Sequence, residues 1–216
     1  MPIIWPSVVT TNNTGCSMPR WLAWVVSGAA IVGGVILCAT GVGGILGGVL
    51  IGAGAGSLIS GYVSKANGGS FFAGYIGGAI CGALCAAGAG LGGAAFAAAT
   101  EATNLACLGY LALSLVVPFG FGFGGNLVGA AYTSWHNSGF KGVDVHWPET
   151  LTASALAGTL NVFAGIASGM SSIVAEIGAF APTLDAKYAC RIIAGMIAGG
   201  AEALYDTVSY FFGKLI

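Results

Sequence analysis

Residues 21–63 read WLAWVVSGAAIVGGVILCATGVGGILGGVLIGAGAGSLISGYV, and this stretch decides the fold. It contains no charged side chain. Residues 21–40 make about 30 Å of α-helix, the thickness of a bilayer's hydrocarbon core. Gly41, Val42, Gly43 and Gly44 can turn the chain, and residues 45–63 supply a second run of spanning length. Arg20 and Lys65 flank the pair at its outer ends. Positively charged flanks stay on the cytoplasmic side, so the pair is predicted to be a hairpin with both ends on one side.

The rest of the chain keeps the same character. From Arg20 to Glu101 the only intervening formal charge is Lys65. Of all 216 residues, 6% are charged and 56% hydrophobic, against about 25% charged in ordinary globular chains. Mean hydropathy is +0.91. A water-soluble domain needs a charged skin, so lipid, or a partner imitating lipid, is the expected solvent. The 39 glycines follow no G-X-Y period and come with 6 prolines, which excludes collagen. The apolar content excludes disorder. A net charge of −1 with no basic cluster leaves no electrostatic footprint for nucleic acid.

Working outward, residues 1–20 carry Pro2, Pro6 and Pro19 and read as a turn-rich tail outside the membrane. The long apolar run behind this lead fits an uncleaved anchor better than a signal peptide. Downstream, residues 67–70 (NGGS) form a turn, with Ser70 placed to cap a helix from Phe71. Residues 71–100 are uncharged and predict either one long helix or two, broken near residues 88–93. Glu101 opens a further apolar run that is expected to end at Pro118. Residues 119–125, which include FGFGG, read as a break before a short helix over 126–135. A polar interlude follows with His136, Lys141, Asp144 and His146. Two helices close the chain, near 148–180 and 184–213, the first opened by Pro148. The organisation is therefore a tail over 1–20, a glycine-rich apolar helical region over 21–135, a polar loop over 136–148 and an amphipathic helical hairpin over 149–216. The fold class is all-α: hydrophobic glycine-rich hairpins in a membrane-associated bundle of six to eight helical segments.

Gly44, Gly48, Gly52 and Gly56 repeat at helical spacing, as do Gly74, Gly78 and Gly82, continued by Ala86 and Gly90. In water each interior glycine costs about 1 kcal/mol against alanine, so the first ladder alone forfeits about 4 kcal/mol. In a membrane such ladders let helix backbones approach closely and recover that loss by packing. The pattern alone leaves open whether they pack helices of one chain or of a homo-oligomer.

Two polar stripes mark the C-terminal third. One runs through Thr150, Ser154, Gly158, Asn161, Gly165, Ser168, Ser172 and Glu176. The other runs through Lys187, Arg191, Gly195, Ala198, Glu202, Asp206 and Ser209. Lys187 and Arg191 precede Glu202 and Asp206, the reverse of what a helix dipole favours, so these charges are predicted to answer to something outside their own helix. Asn161, Ser168, Ser172, Glu176, Lys187, Arg191, Glu202 and Asp206 are the candidate lining of a polar path. A solvated face and internal ion pairing are the alternatives.

Catalytic chemistry finds no foothold. The chain has no G-x-S-x-G, H-E-x-x-H or P-loop motif, and His136 and His146 have only Asp144 and Glu149 as nearby metal-ligating companions. The six cysteines include no C-x-x-C pair, and those in apolar runs read as small hydrophobes. No enzyme activity, metal or cofactor is expected.

Residues 60–84 (SGYVSKANGGSFFAGYIGGAICGAL) and 141–170 (KGVDVHWPETLTASALAGTLNVFAGIASGM) resemble the glycine-rich hydrophobic C-terminal regions of bacterial polymorphic toxins. These regions follow Rhs repeats or belong to glycine-zipper toxins secreted by type VII systems. The likeness spans residues 20–213 and lies in the texture of apolar Gly/Ala helices with short G-G-S-F-type turns. It implies a secreted module for interbacterial competition that inserts into a target membrane and collapses ion gradients. It also implies the lipid bilayer, an immunity protein or a delivery shell as partners, and it supplies no catalytic residues. The expected function is therefore a pore-forming toxin module. The alternatives are a hydrophobic structural or translocation segment without pore activity, and a small integral-membrane transporter or channel.

Overall fold

The computed structural model describes residues 18–39, 44–102 and 105–177, with 171–177 in backbone only. Among these residues every regular element is helical: α1 (Arg20–Ala39), α2 (Gly44–Ala66), α3 (Phe71–Glu101), α4 (Leu105–Asn137) and α5 (Trp147–Ile177). All five are long and apolar enough to cross a membrane. The structure thus has the all-helical, apolar character that the sequence predicts.

Successive helices pack antiparallel around α3. Gly52 of α2 lies against the Gly82 carbonyl, Gly56 lies against that of Gly78, and Gly74 meets Ser60 and Ser64, so α2 and α3 run past each other in fixed register. The hairpin turn between them is closed by Gly68 at φ +83° and by Ser70, whose side chain accepts from the Ala73 amide at 3.4 Å. That is the cap the sequence predicts. Gly34 of α1 faces Gly47 of α2, and Gly77 of α3 faces Gly129 of α4. Gly93 of α3 meets Gly165 and Gly169 of α5, with these two helices parallel. Each interface is therefore closed by glycine, where a methyl group would strike a carbonyl. Backbones this close also bring Cα–H groups onto carbonyl oxygens, worth about 0.5–1 kcal/mol each.

One alternative is decided and two expectations need correction. Of the two alternatives for residues 71–100, the structure has the single long helix, in which Gly88, Gly92 and Gly93 receive Phe121, Pro118 and Ser168 respectively. Glu101 closes α3 instead of opening the next run. Pro118 does not end a helix, and residues 119–125 are not a break; both lie inside the continuous α4. The Pro118 ring is buried and fits against Gly92 and Gly165. Tertiary packing of this kind offsets the lost N–H, as in membrane helices generally. Long helices therefore replace several shorter segments.

The helices are unequal. Near its described start, α2 meets α3 at Gly90, where Ile45 would meet an added Cβ at 3.1 Å. From Leu91 to Glu101, α3 continues for about 16 Å beside α4 and α5. Among the described residues, the helices are stepped at that end.

Outer surfaces are apolar. Trp21, Val32, Leu46, Leu105, Leu108, Val116 and Phe163 are all more than half exposed. Buried polar residues include Ser27, Ser57, Ser114, Asn126, Ser154 and Asn161. Among the described residues large apolar side chains are thus exposed as well as buried, which a water-soluble bundle avoids over so wide a surface.

Candidate functional site

The polar stripe of α5 lies inside the bundle. Ser154 and Asn161 are 0% exposed, Gly158 and Gly165 are buried on the same stripe, and Ser168 is half-buried. Leu151, Leu156, Phe163 and Met170 point outward, Phe163 at 64% exposure. The described part of the stripe is therefore not a solvated face. Helix α5 starts well for its position. Pro148 occupies the first turn, where its missing N–H is harmless, and Glu149 sits at the positive end of the dipole.

Asn161 is the centre of this seam. Its Nδ2 donates to the Pro118 carbonyl of α4 at 2.7 Å. Its Oδ1 is buried and has no hydrogen-bond partner among the described residues. Gly88 of α3 and Gly122 of α4 make the room: a Cβ at Gly88 would stand 3.0 Å from Nδ2, and one at Gly122 would stand 2.8 Å from the Asn161 Cβ. Because Pro118 has no N–H, the Ser114 carbonyl one turn earlier cannot make its α-helical bond to residue 118. Three helices thus meet at an amide oxygen that accepts and does not donate, a chemistry suited to water or a cation.

The remaining candidates separate by position. Ser168 packs its Cβ against Gly93. Ser172 and Glu176 follow on the same helix, in backbone only, and Lys187, Arg191, Glu202 and Asp206 lie outside the described residues. Of the glycine ladder, Gly52, Gly56, Gly74, Gly78 and Gly82 contact the facing helix, whereas Gly44 and Gly48 have nothing within 4 Å of an added Cβ. The geometry therefore divides the first ladder at Gly48.

A second polar node was not singled out in the sequence. Ser27 of α1, Ser57 of α2 and Tyr75 of α3 join through Oγ···Oγ and Oγ···Oη distances of 2.9 Å each. Ser57 Oγ donates to the Gly54 carbonyl at 2.9 Å. With one hydroxyl proton each, Ser27 then donates to Ser57, and the Tyr75 proton is shared between Ser27 Oγ and the Ala23 carbonyl 3.4 Å away. The available signal was two serines and a tyrosine within otherwise apolar spans, since such groups hydrogen-bond across helices.

His136 sits among the rings of Phe72, Tyr132 and Phe140, with centroids 5.8, 6.2 and 5.0 Å away, while His146 is exposed. Among the described residues no three His, Cys, Asp or Glu side chains group to hold a metal. Cys81 and Cys85 are buried thiols, not joined as a disulfide, with their sulfurs 3.7 Å apart. No family model, curated protein or solved structure matches the chain.

Proposed function

We propose that this chain is an integral-membrane module that permeabilises a bilayer to small ions, as a pore-forming toxin module does. One observation carries the reading: α5 turns Ser154 and Asn161 inward and Phe163 and Met170 outward. That polarity suits a helix with lipid outside and a polar seam within. In this reading Ser168, Ser172 and Glu176 extend the seam along α5, and Lys187, Arg191, Glu202 and Asp206 supply its charged part. The bilayer is the partner, with self-assembly into a homo-oligomer as the route to a wider lumen.

The test is membrane potential, read with a voltage-sensitive dye in bacteria that make the chain on either side of the inner membrane. Rapid depolarisation, lost in Asn161→Leu while the variant stays in the membrane fraction, is the expected result. No depolarisation from either side, with the protein in the membrane, would reject permeation. A second reading, a structural or translocation segment, would then stand. It draws support from the glycine-to-carbonyl contacts that close the described helix interfaces.

A further inference from the structure

The two ends of the bundle differ in chemistry. The antiparallel order places the start of α1, the end of α2, the end of α4 and the start of α5 at one end, together with the turn into α3. The Ser70 amide donates to Asn137 Oδ1 at 3.1 Å, which ties the α2–α3 turn to the end of α4. Every lysine and arginine among the described residues lies at this end: Arg20, Lys65 and Lys141. At the opposite end, α3 closes on Glu101, and the exposed large apolar side chains of α3 and α4 toward that end include Leu91, Leu105 and Leu108.

Tryptophan follows the same asymmetry. Trp21, Trp24, Trp135 and Trp147 all sit at the basic end, and all are exposed. They are held in place: Trp24 Nε1 donates to Tyr62 Oη at 2.8 Å, and the Trp135 ring meets Phe140 edge-on at 4.6 Å. The loop carrying Lys141 is also tied down. Ser134 Oγ donates to the Asp144 carbonyl at 2.7 Å, and Ser138 Oγ to the Gly142 carbonyl at 2.6 Å. Lys141 is therefore fixed close to the end of α4.

Indole rings favour the headgroup layer, and lysine and arginine near helix ends set which side of a membrane a helix end occupies, with acidic residues counting little. We infer that the end bearing Arg20, Lys65, Lys141 and the tryptophans is seated in the headgroup layer of the cytoplasmic leaflet in a cell that makes the chain. The Glu101 end faces the other side. Asp144 and Glu149, at the same end as Lys141, do not oppose this orientation, because the rule counts basic residues. The inference rests on the membrane reading above and is independent of ion permeation.

Two full-length variants test it in bacteria. Gly142→Cys places a thiol in the exposed loop at the basic end, where an added Cβ meets nothing within 4 Å. Thr100→Cys places one at the exposed opposite end. Each is treated with a membrane-impermeant maleimide in spheroplasts and in inverted inner-membrane vesicles, and labelling is read as the gain over the wild-type chain. The expected result is labelling of Gly142→Cys in inverted vesicles and of Thr100→Cys in spheroplasts, each favoured by about tenfold. The reverse pattern, or equal labelling of both sites from both sides, would overturn the orientation while leaving the membrane reading intact. Recovery of the chain in the soluble fraction would instead sink the membrane reading itself. Neutralising Arg20, Lys65 and Lys141 together with serine should bring the two orientations to comparable populations. An unchanged preference would show that these charges do not set it.

Discussion

At the residue scale, a glycine matters here according to what faces it. Gly56→Ala drives a methyl group to 2.6 Å from the Gly78 carbonyl, so it should destabilise the bundle by about 1–3 kcal/mol. Gly48→Ala meets open space and should leave stability unchanged or raise it by up to about 1 kcal/mol. Unfolding titrations in mixed micelles measure both, and equal effects would contradict the register of α2 on α3. Tyr75→Phe removes the donor shared by Ser27 and the Ala23 carbonyl and should cost about 1 kcal/mol. The sequence made the ladder visible but could not divide it at Gly48. Spacing fixes which glycines share a helix face; only the partner helix fixes which of them touch. Asn161 was legible as polar at helical spacing, but its inward direction was not, since a stripe looks the same whether water or a helix covers it.

At the element scale, the helices that were easy to read are those bounded by local chemistry. Arg20, the glycines around residue 43, Lys65 and Ser70 mark the edges of α1, α2 and α3 in one dimension, and the structure places those edges there. Pro118 was misread because a local rule met a tertiary answer: the ring needs Gly92 and Gly165, which come from two other helices. A double-mutant cycle exposes this dependence. Gly92→Ala should destabilise the chain by about 1–3 kcal/mol when Pro118 is present. In a Pro118→Ala background the penalty should shrink, with a coupling of about 0.5–3 kcal/mol. A coupling near zero would mean that the ring and the glycine do not support one another.

At the scale of the whole molecule, the described helices expose large apolar side chains around an interior that is itself mainly apolar with a few buried polar groups. The membrane reading proposed above makes lipid part of the folded state. The chain should stay with membranes through alkaline carbonate washing, and extraction should require detergent; release by carbonate alone would argue against spanning helices. The stepped end adds a mechanical property. Among the described residues, α3 runs about 16 Å past the point where Ile45 of α2 meets it, so the α1–α2 side is shorter at that end than the side of α3, α4 and α5. In a bilayer, walls of different height would make the surrounding lipid slope or the longer helices tilt. Stability in vesicles of graded acyl-chain length should pass through a maximum, and two such molecules would lower the energy of the distorted lipid by turning like walls toward each other. The membrane would then act as a spring between copies, drawing them together without any contact between their side chains.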